Sequence, residues 1–245
     1  MQSLGRIIEI WRYPVSSMGG EQMQEAQLAP GGLEHDRLWG IVEKESGAIA
    51  APENRKPWRP LPNLQSRIGA GGIEVGNGEG DWFAVESAEA EDMASRFLDF
   101  PAAFKPHVPF GSEGEGKVAP RYQRADIHLL TTASMRELGD LLGKPEEVHP
   151  RRFRPNIVVE TEPGFSGLVE HQLIGRKLVV GDAEITFTEP CARCTFTALA
   201  QGHLSFLPAV LHKISQHGQG GFGALCKVEG TATIRVGDRL SLAEA

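Results

Sequence analysis

Helical periodicity surfaces only three times in this chain, each time briefly, and the rest reads as short extended runs punctuated by glycine and proline. Ser87 can cap a helix whose Met93, Ala94, Phe97 and Leu98 share one face. Thr131 or Thr132 can cap a second, carrying Met135, Leu138, Leu141 and Leu142 and closed by Gly143. Ser205 can start a third, with Phe206, Val210 and Ile214, ended by Gly218. In the first hundred residues, Arg6 to Trp11 and Arg37 to Val42 read as extended on either side of a Pro30-Gly31-Gly32 turn. Prolines forbid a regular element over 51–62, and the glycine-rich 69–80 reads as a loop or ragged hairpin without the ending of a phosphate loop. Later extended runs are Asn156 to Glu160, Gly175 to Val180, Ala183 to Phe187, Ala224 to Glu229 and Ala232 to Leu242. Two Val-Gly-Asp tripeptides, at 180–182 and 236–238, supply tight turns there. A mainly β protein with a few helices (α+β) is expected, with a β-barrel-like body in its second half.

At 245 residues the chain admits one large domain or two smaller ones. The glycine- and proline-rich stretch 106–120 is the best linker, although a loop over a site would share its composition. Cutting there gives a β-rich unit, 1–110, and a second unit, 111–245. A net charge of −7 argues against a chain-wide nucleic-acid footprint. The richest apolar run, 204–214, falls short of the roughly 20 residues a membrane span needs and is broken by Pro208, His212 and Lys213. With no secretory leader at the front, a cytoplasmic location is expected.

Chemistry concentrates in Glu189-Pro190-Cys191-Ala192-Arg193-Cys194-Thr195, which places two of only three cysteines three positions apart with an arginine between them. Arg193 beside Cys194 favours a charged thiolate, and the preceding extended run delivers the pair at a strand end. On residues alone three readings stay open: a metal or redox thiolate, a dithiol, or part of a zinc site completed by Cys226 with His203 or His217. His128, on an apolar strand, reads as a satisfied buried histidine, and Cys226 as core.

Several pieces, in order, resemble a MOSC-domain protein, the group related to the C-terminal part of molybdenum-cofactor sulfurases. Tyr13-Pro14-Val15-Ser16-Ser17 and Gly32 through Trp39 resemble the β-barrel-like N-terminal companion domain. Phe153-Arg154-Pro155-Asn156-Ile157-Val158, Pro190 to Cys194, Gly221-Phe222-Gly223 and Ile234 to Asp238 resemble the MOSC domain itself. The resemblance, which extends to the mitochondrial amidoxime-reducing component, implies a molybdenum cofactor (Mo-molybdopterin) whose metal is held by Cys194, the catalytic thiolate. It places Ser17, Arg37, Thr131, Thr132, Arg154, Asn156 and Arg193 around that cofactor, with the threonines at a helix start suited to an anion. Ser16 stands where the family usually has lysine.

The activity implied is an oxidoreductase reducing N-hydroxylated small molecules. Electrons would come from a separate protein (ferredoxin-like, flavoprotein or b-type cytochrome), since no cysteine-rich iron-sulfur region follows the last strand. The sulfurase kinship also carries pyridoxal phosphate binding as an expectation. The alternative is a persulfide carrier or cofactor-delivery module without reductase activity.

Overall fold

The computed structural model describes residues 2–78 and 80–243. Its centre is a ring of seven strands: β1 (Gln2–Arg12), β2 (Ile127–Thr131), β3 (Ile157–Thr161), β4 (Lys177–Val180), β5 (Ala183–Ala192), β6 (Gly221–Glu229) and β7 (Arg239–Leu242). Neighbours run in the order β3-β2-β6-β5-β4-β7-β1, and pairing of β1 with β3 closes the barrel. β2 and β3 lie parallel while their other partners are antiparallel. Period-two alternation fills the inside: Ala183, Ile185 and Phe187 on β5 face Cys226 and Val228 on β6, among Leu4, Ile7, Leu129, Ile157 and Leu240. Each such aliphatic side chain contributes about 1.5–3 kcal/mol when removed from water.

A second core gathers Val15, Met18, Ile41, Trp58, Leu61, Leu64, Val75, Met93 and Phe104. It is built from strand Trp39–Glu43 paired with Ala102–Pro106, the sheet Gln65–Gly69, Gly72–Gly76 and Trp82–Ala84, and helix α1 (Ala88–Leu98). Chain order and spatial order differ: β1 precedes residue 110 yet its Leu4, Ile7 and Ile10 belong to the barrel core, as do Leu28 and Leu33. The units 1–110 and 111–245 therefore describe the order of the chain, while the two cores interleave along it.

Ser87 caps α1 by accepting from the Ala90 amide, and Thr131 caps α2 (Thr132–Leu142) by accepting from Ser134, with Gly143 ending it at φ 63. On α1, Met93, Ala94 and Leu98 are buried but Phe97 is exposed. The third long helix starts later than its serine suggests. After the short α3 (Pro150–Phe153) and α4 (Val169–Gln172), α5 runs Ala209–His217, and Pro208, which has no amide hydrogen to donate, stands at its start while Phe206 stays exposed. Residues 69–76 make the hairpin. The extended run expected from Arg37 begins only at Trp39, because Arg37 itself takes a left-handed turn at φ 50. No helix among the described residues is long and apolar enough to cross a membrane.

Candidate functional site

β5 explains how the cysteines reach a surface. Phe187 is its last inward residue; register shifts at 187/189 and 190/192 then bend the strand away from the barrel. Such bulges re-aim side chains, and they let Pro190 sit in a ladder it cannot fully join. Arg193 is pinned by its amide to the Gly220 carbonyl (2.8 Å), and Cys194 follows as an exposed free thiol at the start of a turn at 195–198. Cys191 is half-buried and Cys226 is sealed in the barrel core, where burial raises its thiol pKa.

Both motif cysteines face a cavity of about 1330 Å³ lying where the barrel meets the second core. Ser17, Arg37, Arg154, Asn156, Arg193 and Cys194 all line it. Three of them, Ser17 (φ 67), Arg37 (φ 50) and Arg154 (φ 56), hold a left-handed backbone that non-glycine residues rarely adopt. Strain of about 1–3 kcal/mol at each is kept where the surroundings enforce it, a pattern concentrated at ligand sites.

The hydrogen bonds show what enforces it. The Arg37 guanidinium is held by the Asp36 carboxylate, by Asn156 Oδ1 (3.2 Å) and by the Arg154 carbonyl (3.0 Å). Asn156 is fully buried and bonded at both ends of its amide: Oδ1 also accepts from the His128 amide (3.1 Å), and Nδ2 donates to the Trp11 carbonyl (3.3 Å). It therefore orients Arg37 and ties β1 to β2. Arg193 donates to the carbonyls of Phe222 (2.9 Å, Nε) and Phe153 (2.9 Å) and to His128 Nε2 (2.5 Å). His128 must be neutral to accept; burial, then the Arg193 cation, hold it well below the ordinary histidine value. This is the satisfied buried histidine expected.

Arg154 differs. Its Nη1 donates to the Met18 carbonyl and its guanidinium lies 4.1 Å from the centroid of the Tyr13 ring, but Nη2 is buried with no hydrogen-bond partner among the described residues. Burial and then the Arg37 cation lower its pKa to about 10.

Six arginines and two glutamates line the cavity, in a chain whose net charge is −7. Arg37, Arg121 and Arg152 have carboxylate partners in Asp36, Glu53 and Glu147. Among the described residues, Arg124, Arg154 and Arg193 have none, and bond to carbonyls and a neutral ring instead. Uncompensated guanidinium groups converging on one cavity favour an anion.

The MOSC domain family matches residues 106–241, and the MOSC N-terminal beta barrel domain matches residues 4–67. The chain belongs to the MOSC domain family. This MOSC chain is 25% identical to mitochondrial amidoxime-reducing component 1 of Mus musculus, an alignment covering 81% of this chain and 67% of that one. It is 24% identical to molybdenum cofactor sulfurase of Drosophila grimshawi, over 80% of this chain and 28% of that one. The solved YUAD protein of Bacillus subtilis shares the fold, with a TM-score of 0.52 at 15% identity, covering 99% and 96% of the two chains.

Two expected residues of this MOSC chain do not reach the cavity. Thr131 and Thr132 sit at the start of α2, but that helix end is already occupied: the buried Glu170 carboxyl group accepts from the Thr131 amide and the Ser134 hydroxyl. Thr131 is spent as the helix cap, and Thr132 Oγ1 accepts from the Thr161 amide (3.2 Å). The zinc reading finds no support, since no three metal-binding side chains come together among the described residues. No lysine is among the described residues lining the cavity, so it offers no amine for a pyridoxal phosphate Schiff base.

Other lining residues escaped the sequence reading. His107 lines the cavity with Nδ1 3.0 Å from the Val118 carbonyl, so Nδ1 carries the hydrogen and Nε2 accepts from the Ser16 hydroxyl (3.0 Å). Arg124, with Phe110, Arg121 and Tyr122, comes from the segment read as a linker and its flank, which the structure places against the site. Glycine and proline in that segment were its one local signal, and they fit either role.

Proposed function

We propose that this MOSC protein is a molybdenum-cofactor-dependent oxidoreductase that reduces N-hydroxylated small molecules. The observation carrying the proposal is an exposed cysteine thiol sharing one cavity with three arginines that lack carboxylate partners, one of them with a buried, unbonded Nη2. These residues fit an anionic prosthetic group that also wants a soft sulfur ligand. The sulfur is assigned to Cys194 rather than Cys191 because Cys194 lies beyond the strand and is exposed, whereas Cys191 is half-buried in it.

Within this reading Cys194 would hold the metal, and the Arg154 guanidinium in the cavity wall would add positive charge for the cofactor's phosphate. Arg193 and Arg124 add charge, Arg37 is aimed by Asn156 and Asp36, and Ser17 adds a hydroxyl. When bound, the cofactor supplies the metal that exchanges an oxygen atom and two electrons with substrate. The overall reaction consumes an N-OH compound, two electrons and two protons and yields the N-H compound and water. The two electrons would come from a separate protein, ferredoxin-like, flavoprotein or b-type cytochrome. The relatives' names, amidoxime-reducing component and molybdenum cofactor sulfurase, support the assignment.

The test is expression in a host that makes the cofactor, followed by native mass spectrometry, metal analysis and benzamidoxime reduction with an artificial donor. Stoichiometric molybdenum that disappears in Cys194→Ser and persists in Cys191→Ser, together with turnover, is expected. Metal-free wild-type protein would refute cofactor binding; loaded protein without turnover would point to a carrier instead.

A further inference from the structure

The cavity lining is chemically mixed. Arg154, Arg193, Asn156 and His128 give it polar and cationic groups, while Leu38, Ile49, Val108, Pro109, Phe110 and Tyr122 give it an apolar surface. Its volume, about 1330 Å³, exceeds the roughly 300–1,000 Å³ typical of a single small-ligand site. Six large hydrophobic side chains among the described residues are exposed, and three of them, Leu38, Phe110 and Tyr122, line this one cavity. Exposed apolar groups scattered singly need no explanation, but their concentration at one opening marks a contact surface.

Tyr122 is built as a platform. Its hydroxyl donates to Glu53 Oε1 (3.1 Å) and accepts from Arg121 Nη2 (3.2 Å), and Arg121 is itself paired with the largely buried Glu53. The Arg121 guanidinium lies 5.1 Å from the centroid of the Tyr122 ring. An otherwise solvent-facing ring, 62% exposed, is thus tied at its hydroxyl and braced by a cation, and the ordering that binding would otherwise require is largely done in advance.

We infer that the exposed Leu38, Phe110 and Tyr122 form the substrate subsite, and that it selects flat aromatic molecules over aliphatic ones bearing the same polar group. The inference rests on the proposed reductase reading for the identity of that polar group, an N-hydroxylated carbon-nitrogen unit directed toward Cys194. The aromatic body lies against Tyr122 and Phe110, and Leu38 closes the side.

The experiment compares benzamidoxime with acetamidoxime on protein purified from a cofactor-competent host. Binding is followed by ligand-observed NMR saturation transfer and calorimetry, and turnover is followed in parallel. Benzamidoxime should bind the wild type more tightly. Tyr122→Ala and Phe110→Ala should each weaken benzamidoxime binding, and raise its KM, by roughly three- to tenfold, the factor expected for losing one aromatic contact, with kcat little changed. Neither variant should alter acetamidoxime, and Tyr122→Phe, which keeps the ring, should recover most of the loss. Equal binding of the two amidoximes, or variants that affect both alike, overturns the inference even when turnover is intact. Tyr122-dependent binding of the aromatic compound without turnover supports the subsite and sinks the reductase reading alone.

Discussion

Gly223 offers a test of the packing beneath Cys194. It lies in β6 at φ +72, and a Cβ there would meet His128 Nε2 at 2.3 Å and the Leu129 carbonyl oxygen at 2.9 Å. The ring cannot retreat freely, because Arg193 donates to the same Nε2 at 2.5 Å. Gly223→Ala therefore carries two penalties: about 1–2 kcal/mol for a left-handed alanine and about 1–3 kcal/mol for overpacking. Gly220 is the control. Its φ is +83 and nothing lies within 4 Å of a built Cβ, so Gly220→Ala pays about 1–2 kcal/mol for the backbone alone. Urea unfolding of the two variants, with unchanged slopes, should show Gly223→Ala the weaker by about 1–3 kcal/mol. Adding His128→Ala should return a comparable part of that difference in a double-mutant cycle. Displacing the ring also strips Arg193 of one of its acceptors, so molybdenum retention should fall in Gly223→Ala and hold in Gly220→Ala. Equal destabilisation of the two glycine variants, or strict additivity in the cycle, would refute the contact as drawn.

Arg154→Met, which removes a buried cation with an unbonded Nη2, should leave the cofactor-free protein as stable as the wild type or more so, by up to about 1–4 kcal/mol. Inorganic phosphate should raise the melting temperature of the wild type and not that of this variant; a marked drop in the variant's melting temperature without ligand would contradict the assignment. His149 caps α3 through Nδ1 (3.2 Å to the Arg151 amide), and burial, followed by Arg151, His203 and Arg152, lowers its pKa to about 4. The native state then binds fewer protons than the unfolded chain, so stability present above the ordinary value of 6.5 is lost as pH falls toward about 4. Discounted for a half-buried ring, the loss is about 1–2 kcal/mol, and His149→Asn, which keeps a cap without titrating, should flatten it in melts across that range. Burial raises the Glu170 pKa, so its proton is held to higher pH in the native state and stability erodes as pH climbs from 4.5 through the raised value; Glu170→Gln should remove that slope from the same melts.

What the sequence disclosed was local. Caps at Ser87 and Thr131, the Val-Gly-Asp turns and the delivery of Cys191 and Cys194 at a strand end depend on residues adjacent in the chain. Convergence of Ser17, Arg37, Arg154, Asn156 and Arg193 followed from the family resemblance, since no spacing rule joins residues so far apart. What stayed hidden is non-local: Glu170 occupies the helix end that Thr131 and Thr132 seemed to offer an anion, from 39 positions beyond Thr131. Arg124, Tyr122 and His107 were obscured because their segment has a linker's composition and a wall's position. Membership of β1 in the barrel was equally unreadable, since an alternating run does not name its partners.

That last pairing has a temporal side. β1 is wedged between Ile157–Thr161 and Arg239–Leu242, segments far from it along the chain. The ring cannot shut until 239–242 has been synthesised, so β1 has only its nearby partner Glu21–Met23 while the intervening parts organise. Asn156, which joins the start of the chain to the arginine cluster, gains its bond to Trp11 only at that closure. A closed cleft thereby reports that the chain has been made through residue 242, and a product cut short before 239 would lack the barrel wall on which the cleft rests.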